Sequence, residues 1–403
     1  MHEEQHLDTE RAKRLKQARR IVIKLGTSTV TGAEGNLCSE RVEPIVGSVA
    51  ELMKARRQVV MVSSGAVGLG RAWLGLHQSR LRDLVTKQAC AAVGQSLLMD
   101  AYKRMFSAWE IKVAQVLLTE EDFTVWRRHE NLQHTIEKLL QFGVIPIINE
   151  NDTVSTAELA ALEEGPRAAA FSDNDRLAAL VMSGLEADAL VLLTNVDGLL
   201  RTTGAGSPSD RAKPEVIALV DEITPELRAL AAGPSESGRG GMLTKLEAAD
   251  IAMQCGGTAV IANGQTPDIV GRIFAGECVG TAFLPLERVR GKRRWIAFAA
   301  DVQGRVVVDA GARNAILNGK ASLLSSGVVR IDRHFAPKDV ISILDREGQE
   351  FARGIASCAS HDAEDAHEGE GEAPGRKNSH AKGAAAPASR VLVRRDNIVL
   401  LRK

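Results

Sequence analysis

The feature that most constrains the fold is a set of short, almost continuous apolar segments in the first two thirds of the chain. A strand of this kind needs cover on both faces. Segments with helical periodicity, such as residues 39–57, lie between them. Strands and helices in alternation predict a three-layer αβα sandwich with a mostly parallel sheet. The apolar segments are residues 20–26, 58–65, 112–118, 143–149, 187–195 and 257–263.

Towards the C-terminus the pattern changes to shorter β-like segments, which predict a small barrel-like β domain. Inside it, residues 361–389 have too few apolar side chains to pack, and this predicts a disordered insertion. The predicted order is a charged N-terminal extension, 1–17, an α/β domain, 18–285, a basic linker, 286–294, and the small β domain, 295–403.

Composition excludes several classes of protein. Lys and Arg balance Asp and Glu at 51 each, so no global field attracts nucleic acid or a membrane surface. The five cysteines are isolated, which indicates neither a zinc site nor a disulfide framework. The charged N-terminus is unlike a signal peptide, and no apolar run approaches the ~18 residues of a membrane span. We therefore expect a cytoplasmic protein without a membrane partner.

Ligands of open α/β sheets bind outside the carboxyl ends of the strands. Lys24 lies inside the first apolar segment and precedes a Gly-Thr-Ser turn. A buried lysine is costly unless it is paired, although one at a strand end can also reach solvent. The second segment ends in Ser63, Ser64 and Gly65, which predict either an anion site at a helix start or a plain serine cap.

Two polar clusters follow later segments. Residues 149–152, Asn-Glu-Asn-Asp, come directly after the fourth apolar segment and suit recognition of an ammonium group and a carboxylate. Residues 173–175, Asp-Asn-Asp, stand at the start of a predicted helix. Helix capping explains one of those acids but hardly all three polar groups.

Residues 238–250 combine three glycines in four positions with a lysine and a predicted helix. They do not form a Walker P-loop, because three residues separate Gly241 from Lys245. No G-x-G-x-x-G occurs either. A phosphate site here requires another architecture.

The candidate groups suit one kind of reaction. The sequence has no H-E-x-x-H motif and no local motif for a serine or cysteine nucleophile. Two lysines, an aspartate at a helix start and amide-rich loops suit phosphoryl transfer to an acceptor that is already an anion. Such an acceptor needs no general base, and the obstacle is repulsion between two anions, which fixed lysines and Mg²⁺ offset. We predict no metal site made by protein side chains.

Eight motifs in this order resemble the glutamate 5-kinases of the amino-acid kinase superfamily, over about residues 18–285. Residues 292–403 resemble the PUA domain that many bacterial members append. The motifs are VIKLGTS, VSSGAVGLG, KQACAAVGQ, QVLLT, VIPIINENDTVST, FSDND, LLTNVDGL and GGMLTKLEAA.

This resemblance implies an amino-acid kinase fold and ATP-dependent phosphorylation of the γ-carboxylate of L-glutamate, the first step of proline biosynthesis. It also implies Mg²⁺ bound mainly through ATP, proline as an inhibitor, and a homo-oligomer, dimeric or tetrameric. The implied catalytic residues are Lys24, Asp175 and Lys245. The implied glutamate-binding residues are Ser64, Asn149, Asp152 and Asn174. The implied ATP-binding residues are Lys24, Thr194, Asn195, Arg239, Gly240, Gly241, Met242, Leu243, Thr244 and Lys245.

Three positions depart from the family pattern. Asn195 stands where some members carry Asp, Leu200 where Tyr is frequent, and Ser172 where a glycine precedes the Asp-Asn-Asp group. The first two affect the predicted adenine pocket, and the third affects local backbone geometry.

Two alternatives stay open. One is a kinase of the same superfamily that acts on aspartate, N-acetylglutamate or UMP. The other, from a different class, is RNA binding through the PUA domain, with the basic linker in contact with RNA instead of being merely solvated. The basic residues concerned are Arg288, Arg290, Lys292, Arg293 and Arg294.

Overall fold

The computed structural model describes residues 2–77, 83–119, 121–155, 174–201, 215–231, 241–286, 291–319, 321–361 and 390–401. The chain divides into two compact units. The α/β unit comprises Met1–Phe123 and Arg127–Val289, and the β unit comprises Thr124–Trp126 and Arg290–Lys403.

An eight-stranded sheet forms the centre of the α/β unit, in the order β3–β4–β2–β1–β5–β9–β10–β8. A separate two-stranded sheet joins β6 to β7. All six predicted apolar segments form strands, namely β1 to β5 and β9. The strands are β1 Arg20–Leu25, β2 Gln58–Ser63, β3 Lys112–Leu118, β4 Val144–Glu150, β5 Ala189–Thr194, β6 Leu200–Arg201, β7 Glu215–Val216, β8 Leu219–Val220, β9 Thr258–Asn263 and β10 Thr281–Phe283.

The topology brings four strand ends together. Strand β1 pairs in parallel with β2 on one side and with β5 on the other. Strands β2 and β4 are also parallel, whereas β10 runs antiparallel to β9. The carboxyl ends of β1, β2, β4 and β5 therefore meet at one edge, and the strand order reverses between β1 and β5, where α/β folds bind ligands.

Helices account for most of the remaining α/β unit. The strands β1, β2 and β5 are buried on both faces, as their apolar sequences predict. The helices are α1 His2–Gln17, α2 Thr27–Val30, α3 Ser39–Lys54, α4 Ala66–Trp73, α5 Leu84–Ser107, α6 Glu121–Thr124, α7 Trp126–Gln141, α8 Asn174–Leu185, α9 Pro225–Ala231, α10 Met242–Gln254 and α11 Ile269–Phe274.

Strand β3 departs from the predicted cover on both faces. It stands at the end of the strand order and, among the strands that the structure describes, pairs only with β4. Lys112 and Gln115 are exposed, and only Leu118 at its end is buried. The prediction of full cover is wrong for this strand because it lies at the edge of the sheet.

The charged N-terminal extension forms a packed helix, α1. Leu15 is 2% exposed and joins the main apolar core. Arg11 is also buried, and its Nη2 donates to the carbonyl of Gly276 at 3.3 Å. Of the side chains described in this charge-rich segment, one apolar residue and one arginine are buried.

The β unit has its own sheet and core. Its six strands lie in the order β12–β16–β15–β14–β11–β13, around side chains such as Val306, Ile343 and Leu392. The predicted fold class, a parallel α/β sheet followed by a small β domain, is confirmed. The elements are α12 Gly291–Phe298, β11 Val302–Val308, α13 Ala310–Leu317, β12 Leu323–Leu324, β13 Val328–Arg333, β14 Val340–Leu344, β15 Glu350–Ala356 and β16 Val391–Leu400.

Two predicted connecting segments lie only partly within the described residues. Residues 291–294 of the basic linker form the start of α12, where Arg294 is 4% exposed and Lys292 and Arg293 are exposed. Residues 287–290 lie outside the described residues, as does the predicted insertion beyond His361, up to residue 389. Disorder of that insertion stays a prediction. Burial of Arg294 removes one cation from the surface that could contact RNA.

Candidate active site

Three buried charged residues meet at the carboxyl edge of the sheet. Lys24 lies on β1, in register with Val62 of β2 and Leu192 of β5. Its Nζ is 2.7 Å from Asp175 Oδ1, and Lys245 Nζ is 3.0 Å from Asp175 Oδ2. One carboxylate therefore bridges two ammonium groups, which come from the first strand and from the fourth residue of α10.

Burial and charge act in opposite directions on Asp175. Its side chain is fully buried, and those of both lysines are 7% exposed. Burial by itself would raise the pKa of this carboxyl, but the charges and hydrogen bonds of Lys24 and Lys245 outweigh burial and hold the pKa below its usual value. Asp175 is thus a fixed anion between two cations, and the trio keeps a net positive charge.

The start of α10 adds a hydroxyl group to this cluster. Thr244 donates its hydroxyl to the carbonyl of Gly241 at 2.9 Å, and its Oγ1 lies 3.4 Å from Asp175 Oδ2. Gly241 is the N-cap of α10 in an extended conformation, without a side-chain cap. Met242 and Leu243 form the first turn. Arg239 and Gly240 lie outside the described residues, so their predicted contacts with ATP stay predictions.

An amide and hydroxyl cluster begins at the first residue of α8. Asn174 Nδ2 donates to Ser64 Oγ at 2.8 Å and to Asn149 Oδ1 at 3.0 Å. The structure therefore brings together three of the four predicted glutamate-binding residues. The fourth, Asp152, lies in the turn after β4 and is half-buried.

The turn after β2 does not use a serine cap. Gly65 is the N-cap of α4, with φ of 109° in the left-handed region that favours glycine. Ser64 is thereby left to accept from Asn174. Ser63 is buried, and its hydroxyl pairs with Tyr102 at 2.8 Å, so it belongs to the core. Of the two serines, only Ser64 has a side chain in the polar cluster.

The predicted nucleotide-binding pair follows β5. Thr194 is buried, and its hydroxyl lies 3.3 Å from Asn195 Oδ1, while the Asn195 side chain is exposed. Leu200, the second departure from the family pattern, is 37% exposed in β6. Ser172, the third, lies outside the described residues.

The sequence-based prediction did not include Gln95, which contacts a predicted site residue. Gln95 lies on α5, is 8% exposed, and accepts a hydrogen bond from Asn149 Nδ2 at 3.0 Å. The available signal was its position at the end of the KQACAAVGQ motif, as a polar residue on a helix that otherwise buries small and apolar side chains. In the sequence analysis, that motif indicated only the family.

Two kinds of feature are absent from the described residues. They contain no cluster of three or more His, Cys, Asp or Glu side chains that could hold a metal ion. No helix in the described part of the chain is long and apolar enough to cross a membrane.

Comparison with known proteins identifies two families in one chain. Residues 19–263 match the amino acid kinase family, and residues 304–376 match the PUA domain. A solved structure, UMP kinase from Bacillus anthracis, is 16% identical with a TM-score of 0.44, over 66% of this chain and 96% of that chain. That likeness is too weak to add to the assignment.

Curated relatives cover nearly the whole chain. Glutamate 5-kinase from Myxococcus xanthus (strain DK1622) is 46% identical over 85% of this chain and 87% of that protein. Glutamate 5-kinase from Moorella thermoacetica is 45% identical over the same shares. Glutamate 5-kinase from Citrifermentans bemidjiense is 40% identical over 96% of this chain and 99% of that protein. The chain is therefore a kinase that belongs to the amino acid kinase family, related to the glutamate 5-kinases and carrying a PUA domain.

Proposed function

We propose that the chain transfers the terminal phosphoryl group of ATP to the γ-carboxylate of L-glutamate, forming glutamyl 5-phosphate in the first step of proline biosynthesis. Relatives at 40–46% identity named glutamate 5-kinase support this acceptor. The observation that carries the proposal is the single buried carboxylate, Asp175, that holds two buried lysines at the sheet edge.

The two lysines address the main electrostatic obstacle. A γ-carboxylate is ionised at neutral pH and can attack without a general base. The phosphoryl group that it attacks is also anionic, so the two groups repel each other. Lys24 and Lys245 supply preorganised positive charge, and Asp175 keeps both ammonium groups in place. No described group has to remove a proton in this scheme.

The space beside Lys24 suits phosphate oxygens. Gly26 follows β1, and its N–H donates to the carbonyl of Leu193 at 3.1 Å. A Cβ at Gly26 would lie 3.7 Å from Lys24 Nζ and 3.2 Å from the Leu193 oxygen. A side chain at residue 26 would press against the Leu193 carbonyl and occupy space beside the ammonium group that glycine leaves open for an anion.

The same site fits a metal ion carried by the nucleotide better than one held by the protein. Asp175 is engaged by both lysines, and the described residues offer no alternative carboxylate cluster. We propose that Mg²⁺ is held mainly by ATP oxygens. When bound, it would neutralise part of the phosphate charge.

A hydroxamate assay tests the acceptor directly, because hydroxylamine traps an acyl phosphate. With ATP and Mg²⁺, we expect hydroxamate from glutamate and little from aspartate or N-acetylglutamate. UMP cannot form an acyl phosphate, so its use as an acceptor is measured in parallel by the release of ADP. ADP release with one of these other acceptors and none with glutamate would contradict the proposed substrate.

Three further properties are proposed from the family resemblance. Proline inhibits by binding a site that overlaps the glutamate site, which the same assay tests by adding proline at several glutamate concentrations.

The enzyme forms a dimer or tetramer, which sedimentation at working concentration measures. RNA is the alternative partner of the PUA domain, and its binding should weaken steeply with added salt. No binding at low salt, or a flat response, would reject the RNA partner.

A further inference from the structure

Two glutamines on α5 hold the segment that carries the predicted glutamate-binding residues. Gln88 Nε2 donates to the carbonyl of Ser155 at 3.3 Å. Gln95 Oε1 accepts from Asn149 Nδ2 at 3.0 Å. Seven residues are about two helical turns, so the two glutamines share one face of α5. Residues 149–155 are therefore attached to one helix at both ends.

Helix α5 is itself fixed against the turn that presents Ser64. The backbones of α4 and α5 meet at Gly70 and Gly94, where an added Cβ would overlap the carbonyl oxygens of Cys90 and Ala66. Such a close approach leaves no room for α5 to slide along α4. Because Gln95 follows Gly94 directly, its side chain is held at a set distance from the turn before α4.

The hydrogen bonds of this cluster fix which way each side-chain amide is oriented. Gln95 Oε1 accepts from the Asn149 amide nitrogen, which leaves Asn149 Oδ1 to accept from Asn174. The second N–H of Asn174 goes to Ser64 Oγ. Asn174 Oδ1 is buried and has no hydrogen-bond partner among the described residues. It is thus an acceptor suited to an ammonium group, while the Ser64 hydroxyl can donate to a carboxylate.

Gln95 is poorly explained by stability alone. It is 8% exposed, and its Nε2 is buried without a hydrogen-bond partner in the described part of the chain. Leaving a buried donor unsatisfied is unfavourable, and that cost offsets part of what the bond from Asn149 contributes. A residue whose net contribution to stability is small is better accounted for by what it orients.

We propose that Gln95, assisted by Gln88, is a positioning residue for the amino-acid acceptor. It fixes the amide of Asn149 and, through it, the direction in which Asn174 presents its oxygen. The inference rests on the proposed function, because it assigns the polar cluster to an acceptor that carries both an ammonium and a carboxylate group. Gln95 acts on binding of the acceptor and not on ATP.

The test compares Gln95→Met with Gln133→Met in the full-length enzyme. Methionine keeps the length of the side chain but replaces the amide oxygen that accepts from Asn149 by a weakly accepting thioether. Gln133, a half-buried residue of α7 whose Nε2 lies 3.4 Å from Glu137, is the matched control. We expect Gln95→Met to raise KM for glutamate about tenfold, the scale of a lost hydrogen bond to a buried amide. KM for ATP should stay within about twofold, and Gln133→Met should change neither.

Specificity separates positioning from packing. The ratio of kcat/KM for glutamate to that for glutarate, which lacks the ammonium group, should fall in Gln95→Met. If Gln95 only supported packing, its substitution would lower kcat/KM for glutamate and for glutarate by the same factor. Gln95→Glu keeps an oxygen that accepts from Asn149, so its KM for glutamate should stay close to the wild-type value.

The outcomes distinguish this inference from the proposed function. If the wild-type enzyme forms no hydroxamate from glutamate, both the proposed function and the inference that rests on it are contradicted. If the wild type is active but Gln95→Met keeps its KM for glutamate and its specificity ratio, only the inference is contradicted. Should Gln95→Met not fold, Gln88→Met decides by the same measurements, with an expected two- to threefold rise in KM for glutamate because the Gln88 contact is longer.

Discussion

Within the described residues, each unit of the molecule buries one aspartate, and the two are used differently. Asp345, 5% exposed, follows β14 in the β unit. Its Oδ1 accepts from the Gln349 N–H at 2.8 Å, and its own N–H donates to the Gln349 carbonyl at 3.0 Å. It closes the hairpin between β14 and β15. Asp175 in the α/β unit is fully buried and instead bridges two buried ammonium groups.

The difference shows that burial of a carboxylate does not by itself mark a functional site. Asp345 satisfies backbone groups that the hairpin would otherwise leave unpaired, and its Oδ2 lies 3.5 Å from Nε of the partly exposed Arg313, so the fold explains it. Asp175 and its two lysines are a buried ion cluster that apolar residues could replace with little loss of stability. Because such a cluster adds little to stability, we interpret it by the chemistry proposed above.

The largest effect should come from Asp175→Asn. Removing the anion leaves Lys24 and Lys245 buried together without a counter-charge. We expect the free energy of unfolding of the α/β unit to fall by about 3–5 kcal/mol, and glutamate-dependent turnover to fall with it. Denaturant unfolding followed by circular dichroism gives the first value. An unfolding free energy within about 1 kcal/mol of wild type would contradict the ion cluster as described.

Removal of either lysine charge should be next in size. Lys24→Met and Lys245→Met keep the side-chain length and should each lower kcat by about 10²- to 10³-fold, the range for loss of one preorganised charge-stabilising group. Lys103→Met, at an exposed position of α5, is the matched control. Steady-state kinetics at saturating ATP and glutamate measure the effect. Near-normal kcat in Lys245→Met would show that its ammonium is not near the transferred group.

Acid should reduce the contribution of Asp175 progressively. Because its folded-state pKa lies below the usual value, the stabilisation is fully present above the unfolded-state pKa of about 3.9 and is lost as pH falls through the folded-state pKa. The stability difference between wild type and Asp175→Asn should therefore be constant from about pH 5 to 8 and shrink below about pH 4. Unfolding curves at several pH values measure it. If the stability difference between wild type and Asp175→Asn instead grew as the pH fell, the assigned direction of the Asp175 pKa shift would be wrong.

Asp345→Asn completes the comparison with the smallest effect. Asparagine keeps an oxygen that can accept from the Gln349 N–H, so we expect a loss of about 1 kcal/mol confined to the β unit. Glutamate-dependent turnover should stay within about twofold of wild type. If this substitution lowered turnover as much as Asp175→Asn, the contrast between the two aspartates would fail.

Sequence patterns predicted the strands and the edge at which they end better than they predicted the contacts within the site. Continuous apolar segments identified β1 to β5 and β9, and β1, β2 and β5 are buried on both faces as that pattern predicts. They did not show that β3 stands at the edge, since strand order depends on pairing between distant segments. The charged extension concealed the helix α1, whose packing depends on Leu15 and Arg11.

Candidate site residues could be proposed from the sequence where a polar group interrupts an apolar strand, as at Lys24, or stands at a helix start, as at Asp175. Lys24, Asp175 and Lys245 were assigned on the resemblance, and the structure brings all three together. Gln95 was missed because its role depends on a hydrogen bond to Asn149, 54 residues further along the chain. No local pattern in a sequence encodes a contact of that kind.

A crystal structure with glutamate and a non-hydrolysable ATP analogue tests the central claim most directly. The claim predicts the terminal phosphate within hydrogen-bonding distance of the Nζ atoms of Lys24 and Lys245, with the glutamate γ-carboxylate facing it and Asp175 still bridging both lysines. A terminal phosphate remote from both ammonium groups would contradict it.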